Sequence, residues 1–369
     1  MKKHIASILF LFLLSTFQLI AQSHSVKRLG IEQGLSNNYV VSITQDKQGF
    51  LWFATEEGLN KFDGTRFTTY YKNDLTQDNQ GITGNELNRV YADTKHPIIW
   101  IATQRDGLNA YNYNEQTFTA YQHNPENPHS LITNDVTDIA PSTQHDDGLW
   151  ISTYYRGIEY LDITSGQFTH YNKSTVPSLP CDQTWTVLDG GDGNLYIGHV
   201  GSGFSIFSPK DKSVKNFRNE AGNPMSLPGN DVFCIIKDAN GNIWLGTNNG
   251  LALYDAANEN FITFKNNKND KYATLCSRIL SIRQLKDNRL WIASELNGIA
   301  ILNLKQSMFL SPEEISLEYI QEGADNRSLS NASARCIFQD SFDNIWIGTW
   351  GGGINFISSK PPLFTTLSY

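Results

Sequence analysis

Ten side chains in this sequence could hold a small polar ligand. Tyr154, Tyr155 and Arg156 stand together between two apolar runs, and Trp185, Arg335 and Trp350 fall at the edges of other such runs. Gln104, Arg105, Asn248 and Glu295 occupy comparable polar turns. A sugar ring offers an apolar C–H face, which packs on an aromatic ring, and hydroxyls, which bond to amides, guanidinium groups and carboxylates. The planar fork of Arg also grips a carboxylate or sulfate through two parallel hydrogen bonds. These residue types therefore suit oligosaccharide binding. Packing of loop on loop is the other use such aromatics have; for the group as a whole, ligand contact is the stronger reading.

Other chemistries lack their residues. There is no phosphate-cradling GxxxxGK[ST], no HExxH, and no arrangement that marks a Ser-His-Asp triad. The turns Asp46-Lys47-Gln48-Gly49, Asp238-Ala239-Asn240-Gly241 and Asp340 to Asn344 lack the ligand ladder and terminal Glu of an EF-hand. They read as turns in which the Asp side chain bonds its own backbone. No catalytic residue, metal or cofactor is expected. A glycan-cleaving enzyme, lyase or glycosidase, is the alternative. It would need paired carboxylates, and the nearest candidates are Glu56, Glu57, Glu86 and Glu295. A protein-interaction platform is a third reading.

Composition narrows the class. Aromatics make 12% of the 369 residues and charged residues 18%, which argues against disorder. The formal net charge of −8 argues against a general nucleic-acid binder. Lys2 and Lys3 precede the apolar stretch from Ile5 to Ile20, and Ala21 offers a small residue for cleavage before Gln22. Residues 1–21 therefore read as a secretory signal peptide. The run is short for a membrane span, so no membrane contact is expected after cleavage. Cys181, Cys234, Cys276 and Cys336 are expected to remain free and mostly buried, because the matched pairs fall in non-adjacent repeats.

The elements that must position the ten side chains form a repeat. Seven segments begin alike, and their fourth column is Ile43, Val90, Ile139, Val187, Ile235, Ile282 and Ile337. All seven are β-branched, which suits buried strand positions. An aromatic follows in each: Trp52, Trp100, Trp150, Tyr196, Trp244, Trp291 and Trp346. A Gly-apolar pair and a Phe-x-x-Tyr-like strand complete each unit. Four short strands with Gly, Asn and Asp turns make an antiparallel meander. Its two apolar faces must be covered by neighbours, which a ring achieves.

The expected fold is all-β, a seven-bladed β-propeller of four-stranded antiparallel blades over residues 22–369. The blades span about 40–70, 87–121, 136–171, 184–217, 232–264, 279–320 and 334–357. The last lacks a fourth strand, which residues 25–29 or 364–367 could supply. In such a ring the ten side chains fall on loops around one mouth of the central channel, where concave polar sites form.

The stretch GLSNNYVVSITQDKQGFLWFATEEGLNKFDGTRFTTY, Gly34 to Tyr70, resembles the two-component regulator propeller repeat, and the likeness recurs seven times. The resemblance implies the periplasmic sensor propeller of a Bacteroidetes hybrid histidine kinase, with an oligosaccharide as its ligand. It implies as partners the remaining sensor domains or a second copy of the chain. The kinase itself and the other usual modules are not in this sequence, which looks like one propeller of a longer sensor.

Overall fold

A computed structural model describes residues 25–73, 81–264, 272–304 and 316–360. They form seven four-stranded antiparallel sheets, each a meander in chain order except at the closure. The inner strands are Val40–Gln45, Leu87–Ala92, Val136–Pro141, Thr184–Asp189, Val232–Lys237, Ile279–Gln284 and Ala334–Gln339. Each packs against the inner strands of its two neighbours, so the seven enclose a channel. Short 3₁₀ turns occur at Ile31–Gln33 and Thr274–Cys276. The fold is a seven-bladed β-propeller.

Closure comes from the N-terminal side. Val26–Leu29 pairs antiparallel with Ile354–Ile357 and becomes the outer strand of blade 7. Val26 is buried, and Arg28 Nη2 lies among the carbonyl oxygens of Gly323, Asp325, Ser328 and Leu329, the nearest at 2.6 Å. The other candidate closing strand, residues 364–367, lies outside the described residues, as does the 1–21 leader.

The aromatic column packs between blades. Trp52, Trp100, Trp244 and Trp291 are wholly buried. The indole N–H of Trp52 donates to Asp46 at 2.8 Å, that of Trp244 to Asp238 at 3.0 Å and that of Trp346 to Asp340 at 2.9 Å. The same carboxylates accept backbone N–H groups of their own turns, as from Gln48 and Phe50 to Asp46. The DxxG-type turns are thus held by indole and backbone donors.

Linkers between blades obey a matching rule. Each places an apolar residue in the core: Leu35, Ile82, Leu131, Leu179, Leu227, Leu275 or Leu329. In four linkers the next residue donates its N–H to a third-strand side chain: Ser36 to Asn60, Thr83 to Asn109, Ile132 to Glu159 and Ser330 to Asn355. In blades 4 and 5 the next residue is Pro180 or Pro228, which has no N–H. The third-strand positions there hold Ser205 and Ala252. In blade 6 Cys276 donates its N–H to Ala273 O, and the strand position holds Ala300. A buried acceptor is present where a donor must be satisfied.

Another column is filled by Thr55, Thr103, Thr153, Thr247, Ser294 and Thr349, whose hydroxyls donate to the carbonyl of the following Gly. Blade 4 substitutes His199, which is wholly buried, with Nε2 2.8 Å from Ser205 Oγ and Nδ1 3.6 Å from Cys181 Sγ. Burial lowers its pKa from 6.5 to about 4. Between those values the unfolded chain takes up a proton that the folded chain refuses. Stability present above pH 6.5 therefore falls as the pH is lowered towards 4, by up to about 3 kcal/mol. We expect His199→Thr to remove this loss, measured as urea unfolding free energies at pH 7 and pH 4.5. Equal pH slopes for both proteins would contradict the assignment.

Candidate functional site

The mouth of the channel is built by one repeated hydrogen bond. In every blade the turn between second and third strands donates an N–H to the loop leading into the inner strand. The pairs are Glu56 to Tyr39, Gln104 to Glu86, Tyr154 to Asp135, Val200 to Gln183, Asn248 to Asp231, Glu295 to Arg278 and Trp350 to Ser333. A second bond knits neighbours, as from Gly157 to Asp182 O of the next blade. Gly157 has φ +83°, and a Cβ there would run into the Tyr171 carbonyl, so only glycine suits the position. Seven variable turns are thereby fixed around one opening.

Inner strands reach the same opening through a bulge. The register shifts once in each, next to Val41, Asn88, Thr137, Trp185, Phe233, Leu280 and Arg335. An extra residue re-aims the side chain beside it, and all seven of these residues line the channel cavity, which measures about 640 Å³.

Aromatic contacts divide the rim into two groups. Tyr155 stands edge-on to Tyr154 with ring centroids 4.4 Å apart, Tyr154 lies 6.2 Å from Trp185, and Trp185 lies 5.8 Å from Phe233. The Arg278 guanidinium covers Phe233 at 4.3 Å and pairs with Glu295 at 3.3 Å. This arc crosses blades 3 to 6. On the other side Tyr39 meets Trp350 edge-on at 4.9 Å, and Arg335 lies 4.4 Å over the Trp350 ring. Tyr155 and Trp350 are exposed, while Trp185 is half-buried.

Of the ten side chains expected from the sequence, Trp185 and Arg335 line the cavity. Tyr154, Tyr155, Trp350 and Glu295 join them through ring and ion contacts. Gln104 and Arg105 on one turn of the rim, Arg156 beside Tyr155 and Asn248 on a third turn are exposed. Sequence reasoning did not single out Phe233, Arg89, Asp138 or Arg283, which also line the cavity. They sit inside inner strands, where side-chain alternation assigns them to a blade face, so no signal in the sequence marked them.

The electrostatics follow from enclosure. Burial raises the Glu56 carboxyl above its ordinary value and outweighs the attraction of Arg335, while Glu86 adds a like charge. Burial likewise pushes the Cys234 and Cys336 thiols up to about 12. All four cysteines are free; Cys336 is buried and the other three are half-buried. High thiol pKa values make Cys234 and Cys336 poor nucleophiles. Among the described residues no group of three or more His, Cys, Asp or Glu could hold a metal ion.

Residues 34–57, 226–249 and 328–351 match the family described as two component regulator propeller. The chain belongs to that family. This two-component regulator propeller is 64% identical to the extracellular domain of a putative hybrid two-component system from B. thetaiotaomicron. The likeness has a TM-score of 0.83 and covers 94% of this chain and 43% of that one. Over 66 residues, 18% of this chain and 5% of the relative, the propeller is 42% identical to histidine kinase P4 of Formosa agariphila. A catalytically inactive virginiamycin B lyase from Staphylococcus aureus shares the fold, with TM-score 0.65 and 14% identity over 91% of this chain and 99% of that one. The chain thus spans less than half the length of the sensor and kinase relatives it matches. No helix among the described residues is long and apolar enough to cross a membrane.

Proposed function

We propose that this propeller is the extracellular ligand-sensing module of a two-component regulator, held in the periplasm, and that it binds an oligosaccharide at the channel mouth without turning it over. The supporting observation is the fixed ring of seven turns with aromatic groups on both sides of one opening. A glycan lying across the opening would stack on Trp185 and Trp350 and bond to Arg335 and Glu295. Its protein partners are the remaining sensor domains or a second copy of the chain. The similarity to an extracellular domain of a hybrid system supports the role.

Loss of one aromatic platform costs about 1–3 kcal/mol where flat rings stack on it, which is roughly tenfold or more in affinity. We expect Trp185→Ala combined with Trp350→Ala to abolish measurable binding in calorimetry against defined oligosaccharides, with the fold intact by circular dichroism. Wild-type affinity in the double variant, or release of product from the bound glycan, would contradict the proposal. The second result would favour an enzyme.

A further inference from the structure

The chain is acidic overall, with net charge −8, but its channel is not. Five basic side chains line the cavity, Arg89, Lys237, Arg278, Arg283 and Arg335, against one carboxylate, Asp138. Asp138 is already committed. Arg89 Nε lies 3.1 Å from it, and Thr186 Oγ1 donates to it at 2.7 Å. Lys237 donates to Gly190 O at 2.7 Å, and Arg278 pairs with Glu295.

Arg283 and Arg335 are different. Among the described residues neither has a carboxylate within ion-pair distance. Their guanidinium groups rest instead on aromatic rings, Arg283 5.6 Å from the Phe338 centroid and Arg335 4.4 Å from that of Trp350. Stacking occupies the face of a guanidinium and leaves its N–H edge able to donate. Arg283 faces the solvent of the channel and Arg335 is half-buried. Enclosure by the channel walls pulls both below the ordinary value; Arg89 adds to the effect on Arg283, while Glu295 and Glu56 oppose it at Arg335. Arg89 also acts on Cys234 and Cys336, in blades 5 and 7, so its charge reaches across the lumen from blade 2. The rim carboxylates Glu56 and Glu295 act on Arg335 but not on Arg283, and an excess of positive charge lining a cleft focuses anions.

We propose that the channel is an anion site that receives the carboxylate or sulfate group of an acidic oligosaccharide, with Arg283 and Arg335 as its donors and the aromatic mouth holding the attached sugar ring. The sugar part of this inference rests on the reading of the mouth given above. The anion part rests on the lumen charge alone. A neutral glycan would leave both guanidinium groups without an acceptor, so charge on the ligand is the specificity element.

The test is calorimetry of the wild type, Arg283→Ala and the Trp185→Ala/Trp350→Ala double variant. The probes are inorganic sulfate, a uronic-acid tetrasaccharide, a sulfated disaccharide and a neutral tetrasaccharide. At least one acidic sugar should bind more tightly than the neutral one, with an affinity that falls as salt rises. Arg283→Ala should weaken it tenfold or more with the fold intact by circular dichroism, since the stack on Phe338 is lost but no ion pair is broken. Sulfate binding that needs Arg283, with no sugar bound, would support the anion site and remove the sugar reading. Neutral-sugar binding that needs the two tryptophans but ignores Arg283→Ala would overturn the anion site and leave the sugar reading standing. Absence of saturable binding by sulfate and by both acidic sugars would overturn the anion site as well.

Discussion

Deletion of Val26–Leu29 should destabilise the whole ring and not merely fray one end. The strand supplies the outer edge of blade 7 through four register pairs. It buries Val26 in the cluster that holds Leu329, Ile345 and Ile357. Arg28 ties down the linker between blades 6 and 7 through carbonyls about 300 positions away. Four backbone pairings and one buried Val together contribute on the order of 5 kcal/mol. Loss of the strand also exposes Ile354–Ile357 as an unpaired edge, a template for aggregation. Chemical unfolding of the deleted and intact chains, with soluble yield as a second readout, checks this. Removal of residues 364–369 should matter less, and the reverse ranking would show that the closing strand had been misassigned.

Trp244→Ala should cost about 3–5 kcal/mol, the range for removing a large aromatic from a packed core. Trp244 is wholly buried and packs with Leu251, Leu275, Ile282 and Leu290, which belong to blades 5 and 6 and the linker between them. The cavity would therefore open between blades, where neither sheet can collapse without shifting the other. Its indole N–H also donates to Asp238, although that carboxylate keeps Asn240, Asn242 and its side-chain amide as donors. The hydrogen bond is thus the smaller part of the loss and the cavity the larger. Thermal melting should fall by several degrees, while the aromatic rim around Trp185 stays intact. A change of only about one degree would mean that the indole is not an inter-blade anchor.

The fold was legible because the repeat writes the same physical requirement seven times. A β-branched residue in the fourth column and an aromatic in the second strand are each weak signals at one site. Seven coincidences, from Ile43 to Ile337 and from Trp52 to Trp346, leave a ring of sheets as the solution that covers every apolar face. The candidate site was legible only where it departs from the repeat. Tyr154, Trp185, Arg335 and Trp350 stood out because no buried column explained them. Arg89, Arg283 and Phe233 did not, because they occupy inner-strand positions that an alternating pattern assigns to a blade face. The bulge that turns this part of each strand towards the lumen comes from backbone register, which side-chain alternation cannot report. The division of the rim into an arc over blades 3 to 6 and a separate group at Trp350 also depends on three-dimensional spacing alone.

The pairing of each linker with its blade bears on how such rings grow and recombine. Asn60, Asn109, Glu159 and Asn355 are buried acceptors that serve a linker N–H, whereas linkers with Pro180 and Pro228 meet blades without such an acceptor. The linker of blade 3 placed before blade 5 would strand the Ile132 N–H, because Ala252 offers no acceptor, whereas Asn60 facing a proline-containing linker would keep the Thr69 hydroxyl as a donor. The stranded Ile132 N–H would cost about 1–3 kcal/mol. The heritable cassette is therefore not the four-stranded sheet. It is the sheet together with the loop that precedes it, including the residues ahead of the linker leucine that its blade also reads, as His170 reads Pro128 and Thr263 reads Pro224.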